Sequence, residues 1–400
     1  MALLAPIRTI PDPAHPARPA ALDPALERLE ARLADAALGD PHELTLARGM
    51  AGVLLMATRM AQLLPSPQRR TRVTRLAGAI ADALGDCALD AGLWSGVVGV
   101  LYALEYVRAV DPSLLGEHED AVREFVTDMD EVLAGAAHPR QHFDLISGQC
   151  GIGAYALVRT DTGAARRIYA AAELGLRDSA ERDASHCAWR APAGVPARPG
   201  YDLGVAHGVP GVIGLLAHAL RLGIGTGDTA QLLDQSLCWL RAHQDLSLQH
   251  SRFASVTSRP HESSRLAWCY GDLGIAAVLS VAAGTNGEVA LASWWRALAG
   301  RRVEQPAASW QLADDALCHG RAGVLHILDG LLAHGLDSLA ARDLAAELEA
   351  ALARSVGAVR NVQNYGLLDG WSGVVLALAE SSLGQRARGR PWNLCMLTPA

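Results

Sequence analysis

The chain has few aromatic residues and no long uncharged apolar run, and both absences narrow its fold. Phe, Tyr and Trp make up 5% of the 400 residues, although half of all residues are hydrophobic. The apolar content is therefore mainly Ala, Leu and Val, a composition that favours packed helices over sheets. No stretch reaches the roughly 18 uncharged apolar residues of a membrane helix, so we expect no membrane span.

Cysteine and positive charge are also scarce, which excludes two further classes of protein. The seven cysteines are an odd and scattered set, without the dense pairing of a secreted disulfide scaffold. Prolines and arginines interrupt the N-terminus, which lacks the apolar region of a signal peptide. We therefore expect a cytoplasmic protein. The formal net charge of −7 argues against a nucleic-acid partner, which would favour a basic face.

A glycine-containing unit recurs seven times along the chain. Each unit has a small or polar residue, a glycine, two variable residues, a second glycine and an apolar run. The first glycines are Gly49, Gly96, Gly148, Gly208, Gly271, Gly320 and Gly370. Between the units lie amphipathic segments with helical spacing, including 24–38, 67–84, 163–178 and 343–356. Each repeat therefore predicts a half-exposed outer helix followed by a buried inner helix that begins at the glycine pair.

Seven helical hairpins predict an all-α protein with the architecture of an α/α toroid, in which two rings of helices are concentric. An open α-solenoid is the competing geometry. The second and seventh units share the pentapeptide WSGVV, which we interpret as a sign that the ring closes. The sequence predicts an irregular N-terminal segment at 1–22, the toroid domain at 23–385 and a C-terminal tail at 386–400.

The residue before each first glycine is predicted to lie at the N-terminus of an inner helix, at one end of the ring. These residues are chemically diverse: Arg48, Ser95, Ser147, His207, Tyr270, His319 and Asp369. Packing alone has little use for such diversity at equivalent positions. We therefore expect them to surround a central cavity, the usual location of a functional site.

Cys269 and Cys318 occupy the same position in the fifth and sixth units, and His319 follows the second cysteine directly. Three nitrogen and sulfur ligands that leave a fourth position open are typical of catalytic zinc, and thiolates favour zinc over magnesium or calcium. Two thiolates and a neutral imidazole would cancel the zinc charge, so a bound substrate thiolate would remain nucleophilic. A bound water would serve hydrolysis instead. The alternative interpretation is two buried cysteines and a helix-capping histidine.

The ordered set of motifs closely resembles the LanC-like lanthionine synthetase cyclases. The motifs are DLISG at 144–148, AHG at 206–208, WCYG at 268–271 and CHG at 318–320, and the resemblance covers roughly residues 40–383. It implies a zinc-dependent cyclase of lanthipeptide biosynthesis, with Zn²⁺ held by Cys269, Cys318 and His319. Such an enzyme adds a cysteine thiol to a dehydroalanine or dehydrobutyrine residue and so closes a thioether ring.

The same resemblance assigns four catalytic residues. It makes His207 an acid or base, a role that suits an imidazole near neutral pH. Asp144 would orient His207, Arg265 would stabilise the enolate oxygen, and Tyr270 would donate a hydrogen bond there. Each has a simpler interpretation: a helix cap for His207, a helix N-terminal carboxylate for Asp144, an exposed loop residue for Arg265 and part of the pore wall for Tyr270.

The resemblance also implies partners. They are a dehydrated precursor peptide with leader and core, a dehydratase and an exporter, in a synthetase complex that associates with the membrane. We expect the loop-like segments 187–202 and 249–264 to help receive the peptide. Three alternatives remain open at this point: thiol addition by glutathione to dehydrated proteins, a non-catalytic peptide-binding toroid, and a toroid glycosidase. The last needs two acidic groups flanking the bond.

Overall fold

The computed structural model describes residues 22–85, 89–135, 142–191, 200–286, 289–384 and 389–399. The segment expected to be irregular, 1–22, lies outside the described residues except for Leu22. Within these ranges, α-helices alternate between an outer and an inner layer. The outer helices are α1 (Pro24–Leu38), α3 (Pro67–Ala83), α5 (Glu119–Gly135), α7 (Thr162–Ser179), α9 (Thr229–Ala242), α11 (Val289–Val303) and α13 (Leu339–Ala358). The inner helices are α2 (Met50–Leu63), α4 (Val97–Val110), α6 (Gln149–Val158), α8 (Val209–Leu222), α10 (Asp272–Asn286), α12 (Arg321–Ala333) and α14 (Trp371–Leu383).

The two layers differ in how their sequences form and bury helices. The outer helix α7 begins after Asp161, whose side chain accepts hydrogen bonds from the backbone N–H groups of Gly163 and Ala164. Only one face of this helix is buried. The inner helix α6 is buried at all of its residues, as its nearly continuous apolar sequence predicts. None of the described helices is long and apolar enough to cross a membrane.

The inner helices form a closed ring. Each inner helix packs against the next one in the chain, and α14 packs against α2; on the outside, α1 packs against α13 and α14. The predicted all-α toroid is therefore confirmed, and the open solenoid is excluded. The shared pentapeptide was the wrong reason for expecting closure, because its two copies are out of register. Gly96 precedes α4, whereas the corresponding Gly373 lies inside α14.

A ring of backbone hydrogen bonds ties together the seven loops that precede the inner helices. Each loop donates an N–H to a carbonyl of the next loop, and the last donates to the first. The bonds are Ala47 to Trp94, Trp94 to Ile146, Leu145 to Ala206, Ala206 to Cys269, Cys269 to Cys318, Cys318 to Leu368 and Leu368 to Ala47, with N–O distances of 3.0 to 3.4 Å. This hydrogen-bonded ring holds the N-termini of all seven inner helices at one end of the toroid. We call this end the mouth.

The glycine pairs permit this close approach of backbones. Gly271 has a φ of 110°, and a Cβ there would lie 1.9 Å from the Arg265 carbonyl oxygen. The second glycine of a unit meets its neighbouring repeat: a Cβ at Gly373 would lie 2.5 Å from the Leu317 side chain. Both distances are far below van der Waals contact, so the repeat needs glycine at these positions.

The end of the chain lies in the interior of the inner ring. The sequence predicts a tail at 386–400, but Trp392–Thr398 are buried, with a short 3₁₀ helix at Asn393–Met396. Tyr102 of α4 donates a hydrogen bond to the Trp392 carbonyl at 2.8 Å, and the Trp268 indole donates to the Met396 carbonyl at 2.9 Å. These residues of the predicted tail are thus a buried part of the fold. Their apolar side chains complete the core and form a floor beneath the mouth.

Candidate metal centre and acid–base pair

The mouth brings Cys269, Cys318 and His319 together. One ligand-type atom from each of the three residues lies within 4.8 Å of the others. Their convergence follows from the ring of backbone hydrogen bonds, in which the Cys269 N–H donates to the Cys318 carbonyl at 3.2 Å. Equivalent positions in adjacent repeats thus place the two thiols side by side, and His319 follows at the start of α12.

Electrostatics at this cluster favour a thiolate. A hydrogen bond from the Cys318 thiol lowers the pKa of Cys269 against the effect of burial, and His319 and Arg265 lower it further. The same hydrogen bond raises the pKa of Cys318. Hydrogen bonding to Cys269 raises the pKa of His319 despite partial burial. The N-termini of the inner helices add a positive potential that also favours an anion at the mouth.

The Asp314 carboxylate lies beside the His319 ring. Its Oδ2 lies 3.0 Å from His319 Nε2, while its Oδ1 accepts a hydrogen bond from the Ala316 backbone N–H. With Nε2 facing this carboxylate, Nδ1 is the ring nitrogen available to a metal. Histidine ligands of metals commonly have such a partner on the second nitrogen, which fixes the tautomer and raises ligand basicity.

The donor set fits zinc. It offers two sulfur atoms and one imidazole nitrogen, and a carboxylate lies beside its histidine. Soft sulfur donors disfavour magnesium and calcium, and three protein ligands leave room for a substrate group. Cys269 is 5% exposed, whereas Cys318 and His319 are half-buried, so the cluster is accessible from the mouth.

His207 and Asp144 form a hydrogen-bonded pair at the mouth. His207 Nδ1 lies 2.6 Å from Asp144 Oδ2. Because a carboxylate only accepts, Nδ1 carries a proton, and Nε2 is left to exchange a proton with a substrate. Burial acts to raise the pKa of Asp144, but the hydrogen bonds from His207 and from the Ser147 backbone N–H outweigh it and lower that pKa.

The loop that carries His207 adjoins the loop that carries Cys269. The Ala206 N–H donates to the Cys269 carbonyl at 3.4 Å, and a Cβ at Gly204 would lie 2.7 Å from the Tyr270 ring. The acid–base pair and the thiol cluster therefore belong to neighbouring repeats at the same end of the toroid.

A cavity of about 640 Å³ opens beside the cluster and is lined by Arg265, Tyr270 and the 249–263 segment. Within the described part of the chain, no hydrogen bond or ion pair engages the Arg265 guanidinium. Its positive charge nevertheless acts on Cys269, Cys318 and His319. Arg265 thus connects the cavity electrostatically with the cluster and is available to a substrate.

Segment 249–264 lines this cavity, as expected of a segment beside the predicted site. Segment 187–202 is described only in part. Its strand β2 (Cys187–Ala188) pairs with β1 (Glu181–Arg182), and isolated bridges join Arg190 to Tyr201 and Asp202 to Val256. Residues 192–199 lie outside the described residues. The bridge between Asp202 and Val256 joins segment 187–202 directly to segment 249–264 at the side of the mouth.

Two carboxylates that were not predicted from the sequence, Asp202 and Asp314, contact predicted site residues. Tyr270 donates its hydroxyl to Asp202 Oδ2 at 2.7 Å, and Asp314 contacts His319. The signal was present, because both lie six residues before the first glycine of their units. Acidic or amide residues stand at the equivalent place in three other repeats: Glu43, Asp90 and Asn364.

Comparisons with known proteins agree with this geometry. A family model described as lanthionine synthetase C-like protein matches residues 40–397, so the chain belongs to the LanC-like family. Among solved structures, nisin cyclase is similar with a TM-score of 0.74 and 18% sequence identity. That match covers 93% of this chain and 96% of that one, and at this identity it shows the shared toroid fold. No curated protein matches the chain.

Proposed function

We propose that this protein is a zinc-dependent peptide cyclase. It adds cysteine thiols of a precursor peptide to dehydroalanine or dehydrobutyrine residues and forms thioether rings. The observation that carries the proposal is the convergence at one mouth of a two-thiol, one-imidazole cluster and a histidine–carboxylate pair. Membership in the LanC-like family supports the same activity.

The chemistry is an addition that needs no oxidant or reductant. A carbon–sulfur bond forms between the substrate thiolate and the β-carbon of the dehydrated residue. The electron pair of the carbon–carbon double bond moves towards the carbonyl and gives an enolate, and a proton then adds to the α-carbon. Zinc, when bound by Cys269, Cys318 and His319, lowers the pKa of a thiol so that it reacts as a thiolate near neutral pH.

Two residues act on the acceptor in this proposal. Arg265 lines the cavity with a guanidinium that is available to the enolate oxygen, where developing negative charge is stabilised most. His207 delivers the proton to the α-carbon from Nε2, because Asp144 holds its other nitrogen. Asp144 remains ionised, as the lowered pKa indicates, and accepts the hydrogen bond of His207 Nδ1.

The peptide reaches the site through the open mouth, because Trp392–Thr398 fill the interior of the ring below it. We assign its reception to the cavity wall formed by residues 249–263, which includes the polar side chains of Gln249, His250 and Ser263. The other implied partners are a dehydratase that supplies the acceptor residue and an exporter. The proposed location is the cytoplasm, within a complex that associates with the membrane.

A thiol count tests the activity. Purified protein is incubated with a dehydrated precursor that retains its cysteines, and free thiols are then alkylated and counted by mass spectrometry. The expected result is fewer alkylated thiols per peptide. The mass of the peptide before alkylation should stay constant, because an intramolecular addition neither adds nor removes atoms. A parallel reaction contains glutathione and a dehydrated peptide whose cysteines are replaced by alanine.

The two reactions separate the competing functions. A peptide that gains the mass of glutathione only with the enzyme, while the precursor keeps its free thiols, would favour intermolecular thiol addition. Undiminished thiols in both reactions, with zinc present and the precursor bound, would refute catalysis. That result would favour a toroid that only binds peptides.

A further inference from the structure

One turn recurs in five of the loops that lead into the inner helices. A side-chain oxygen six residues before the first glycine accepts the backbone N–H two residues further on. The hydrogen bonds, each from a backbone N–H to a side-chain oxygen, run from Thr45 to Glu43, Gly92 to Asp90, Gly204 to Asp202, Ala316 to Asp314 and Gly366 to Asn364. The turn uses one oxygen, so each carboxylate of the set retains a second one.

In the fourth repeat the second oxygen reaches a predicted site residue of the next repeat. Asp202 is 1% exposed; its Oδ1 accepts from the Gly204 N–H at 2.9 Å, and its Oδ2 accepts from the Tyr270 hydroxyl at 2.7 Å. A buried carboxylate between two donors is a strong, oriented acceptor. The contact joins the His207 loop to the residue that follows Cys269.

The hydrogen bond also determines what the Tyr270 phenol offers to the cavity. A phenol has one proton, and Tyr270 gives it to Asp202. Its oxygen therefore faces other groups only as an acceptor. The family resemblance led us to expect that Tyr270 donates a hydrogen bond to the enolate oxygen. Because its proton is given to Asp202, stabilisation of the enolate oxygen is left to Arg265.

We propose that Asp202 is a positioning residue of the cyclase, and this inference rests on the proposed function. It fixes the Tyr270 ring at the cavity wall and accepts its hydroxyl proton, so that this proton is not donated to an oxyanion. The carboxylate thus has two tasks, which are to close the turn before α8 and to set the hydrogen-bonding direction of a side chain in the next repeat.

The chain itself supplies matched variants for a test. In Asp202→Asn the amide oxygen still accepts the Gly204 N–H, as Asn364 does for Gly366 in the seventh repeat. The amide nitrogen replaces the acceptor of the Tyr270 proton. Asp90→Asn is the control, because Asp90 makes the same turn in the second repeat and its remaining contact is with Ser95.

The experiment is a double-mutant cycle with a spectroscopic arm. The value of kcat/KM for thioether formation is measured for Asp202→Asn, Tyr270→Phe, their combination and Asp90→Asn. We expect each of the first two to lose roughly 10- to 100-fold, as for a hydrogen bond to a charged group. The combination should lose no more than the worse single variant, because both remove the same interaction. Asp90→Asn should keep the wild-type value.

The spectroscopic arm needs no substrate. Tyrosines carrying ¹³C at the ζ carbon are observed by NMR, and the Tyr270 signal is assigned by its loss in Tyr270→Phe. We expect that signal to shift in Asp202→Asn and to stay in place in Asp90→Asn.

Losses that multiply in the double variant, or an unmoved Tyr270 signal in Asp202→Asn, would overturn the proposal. An inactive wild-type protein would instead refute the proposed function, and the positioning role of Asp202 in it. The NMR signals would still report whether the contact exists, so the two failures are distinguishable.

Discussion

Replacing Asp314 by Asn should weaken zinc binding without unfolding the loop that holds His319. The amide oxygen of the new residue can still accept the Ala316 N–H that Asp314 Oδ1 accepts at 3.0 Å. The amide nitrogen cannot accept from His319 Nε2, which lies 3.0 Å from Asp314 Oδ2. The histidine therefore loses the carboxylate charge that lies beside Nε2 and makes the ring more basic.

The size of the effect follows from the exposure of the pair. Removing a partner of a metal-bound histidine commonly costs about 10- to 100-fold in metal affinity. The side chains of His319 and Asp314 are 31% and 43% exposed, so solvent screens the interaction. We expect the lower end, a loss of about tenfold, which corresponds to about 1.4 kcal/mol.

Competition with a chromogenic chelator measures this affinity without any substrate. Asp90→Asn is again the matched control, because it alters the same turn far from the cluster. A zinc affinity of Asp314→Asn equal to that of the control would refute the argument that Asp314 strengthens His319 as a zinc ligand. Loss of the fold, seen as a lost unfolding transition, would contradict the claim that the amide preserves the turn.

Three further predictions concern other residues of the same structure. His207→Gln should lower the rate of thioether formation by about 10²- to 10⁴-fold while zinc content stays at the wild-type value; a rate near wild type would exclude His207 as the proton donor. His218 lies in the interior beside Leu397 and Thr398, and burial lowers its pKa to about 4. A histidine with a depressed pKa in the folded state destabilises that state as pH falls below its unfolded value. The free energy of unfolding should thus fall by about 2 kcal/mol more in wild type than in His218→Gln between about pH 7 and pH 5, as denaturant titrations would show; parallel curves would contradict this. Gly271→Ala should lower the free energy of unfolding by more than about 2 kcal/mol, because its Cβ would meet the Arg265 carbonyl at a positive φ; an unchanged denaturation midpoint would refute the close-approach argument.

Much of the fold could be predicted because short, local sequence patterns mark each repeat. The glycine pair before each apolar run predicted every inner helix start, from Met50 of the first unit to Trp371 of the seventh. Amphipathic spacing predicted α1, α3, α7 and α13 within a few residues. These signals work because a helix start and its buried face are decided by neighbours in the chain.

The position of the chain end could not be predicted in this way. Segment 392–398 is short, and nothing near it in the sequence indicates that its backbone forms hydrogen bonds with the side chains of Tyr102, Trp268 and His218. Its burial depends on contacts between residues far apart in the chain. The same holds for ring closure, which is decided by packing of α14 against α2 rather than by the repeated pentapeptide.

The residues of the candidate site also differ in how far the sequence alone predicts them. Cys269, Cys318 and His319 were predictable as a group because the repeat makes their positions equivalent. The roles of Asp144, Arg265 and Tyr270 came from family resemblance, and the structure adds the hydrogen-bond partners of Asp144 and Tyr270. Asp202 and Asp314 went unnoticed because a turn residue at a loop start has a sufficient local role, and only the fold shows which neighbour meets its second oxygen.

A zinc titration of metal-free protein tests the central claim most directly. Chelator-stripped protein is titrated with zinc, and the rate of thiol loss from a dehydrated precursor is measured at each point. If Cys269, Cys318 and His319 form one catalytic zinc site, the rate should rise from near zero to a plateau at one equivalent per chain. Cys318→Ser should show no such breakpoint. A full rate in the stripped protein, or a wild-type rate that does not respond to zinc, would contradict the account.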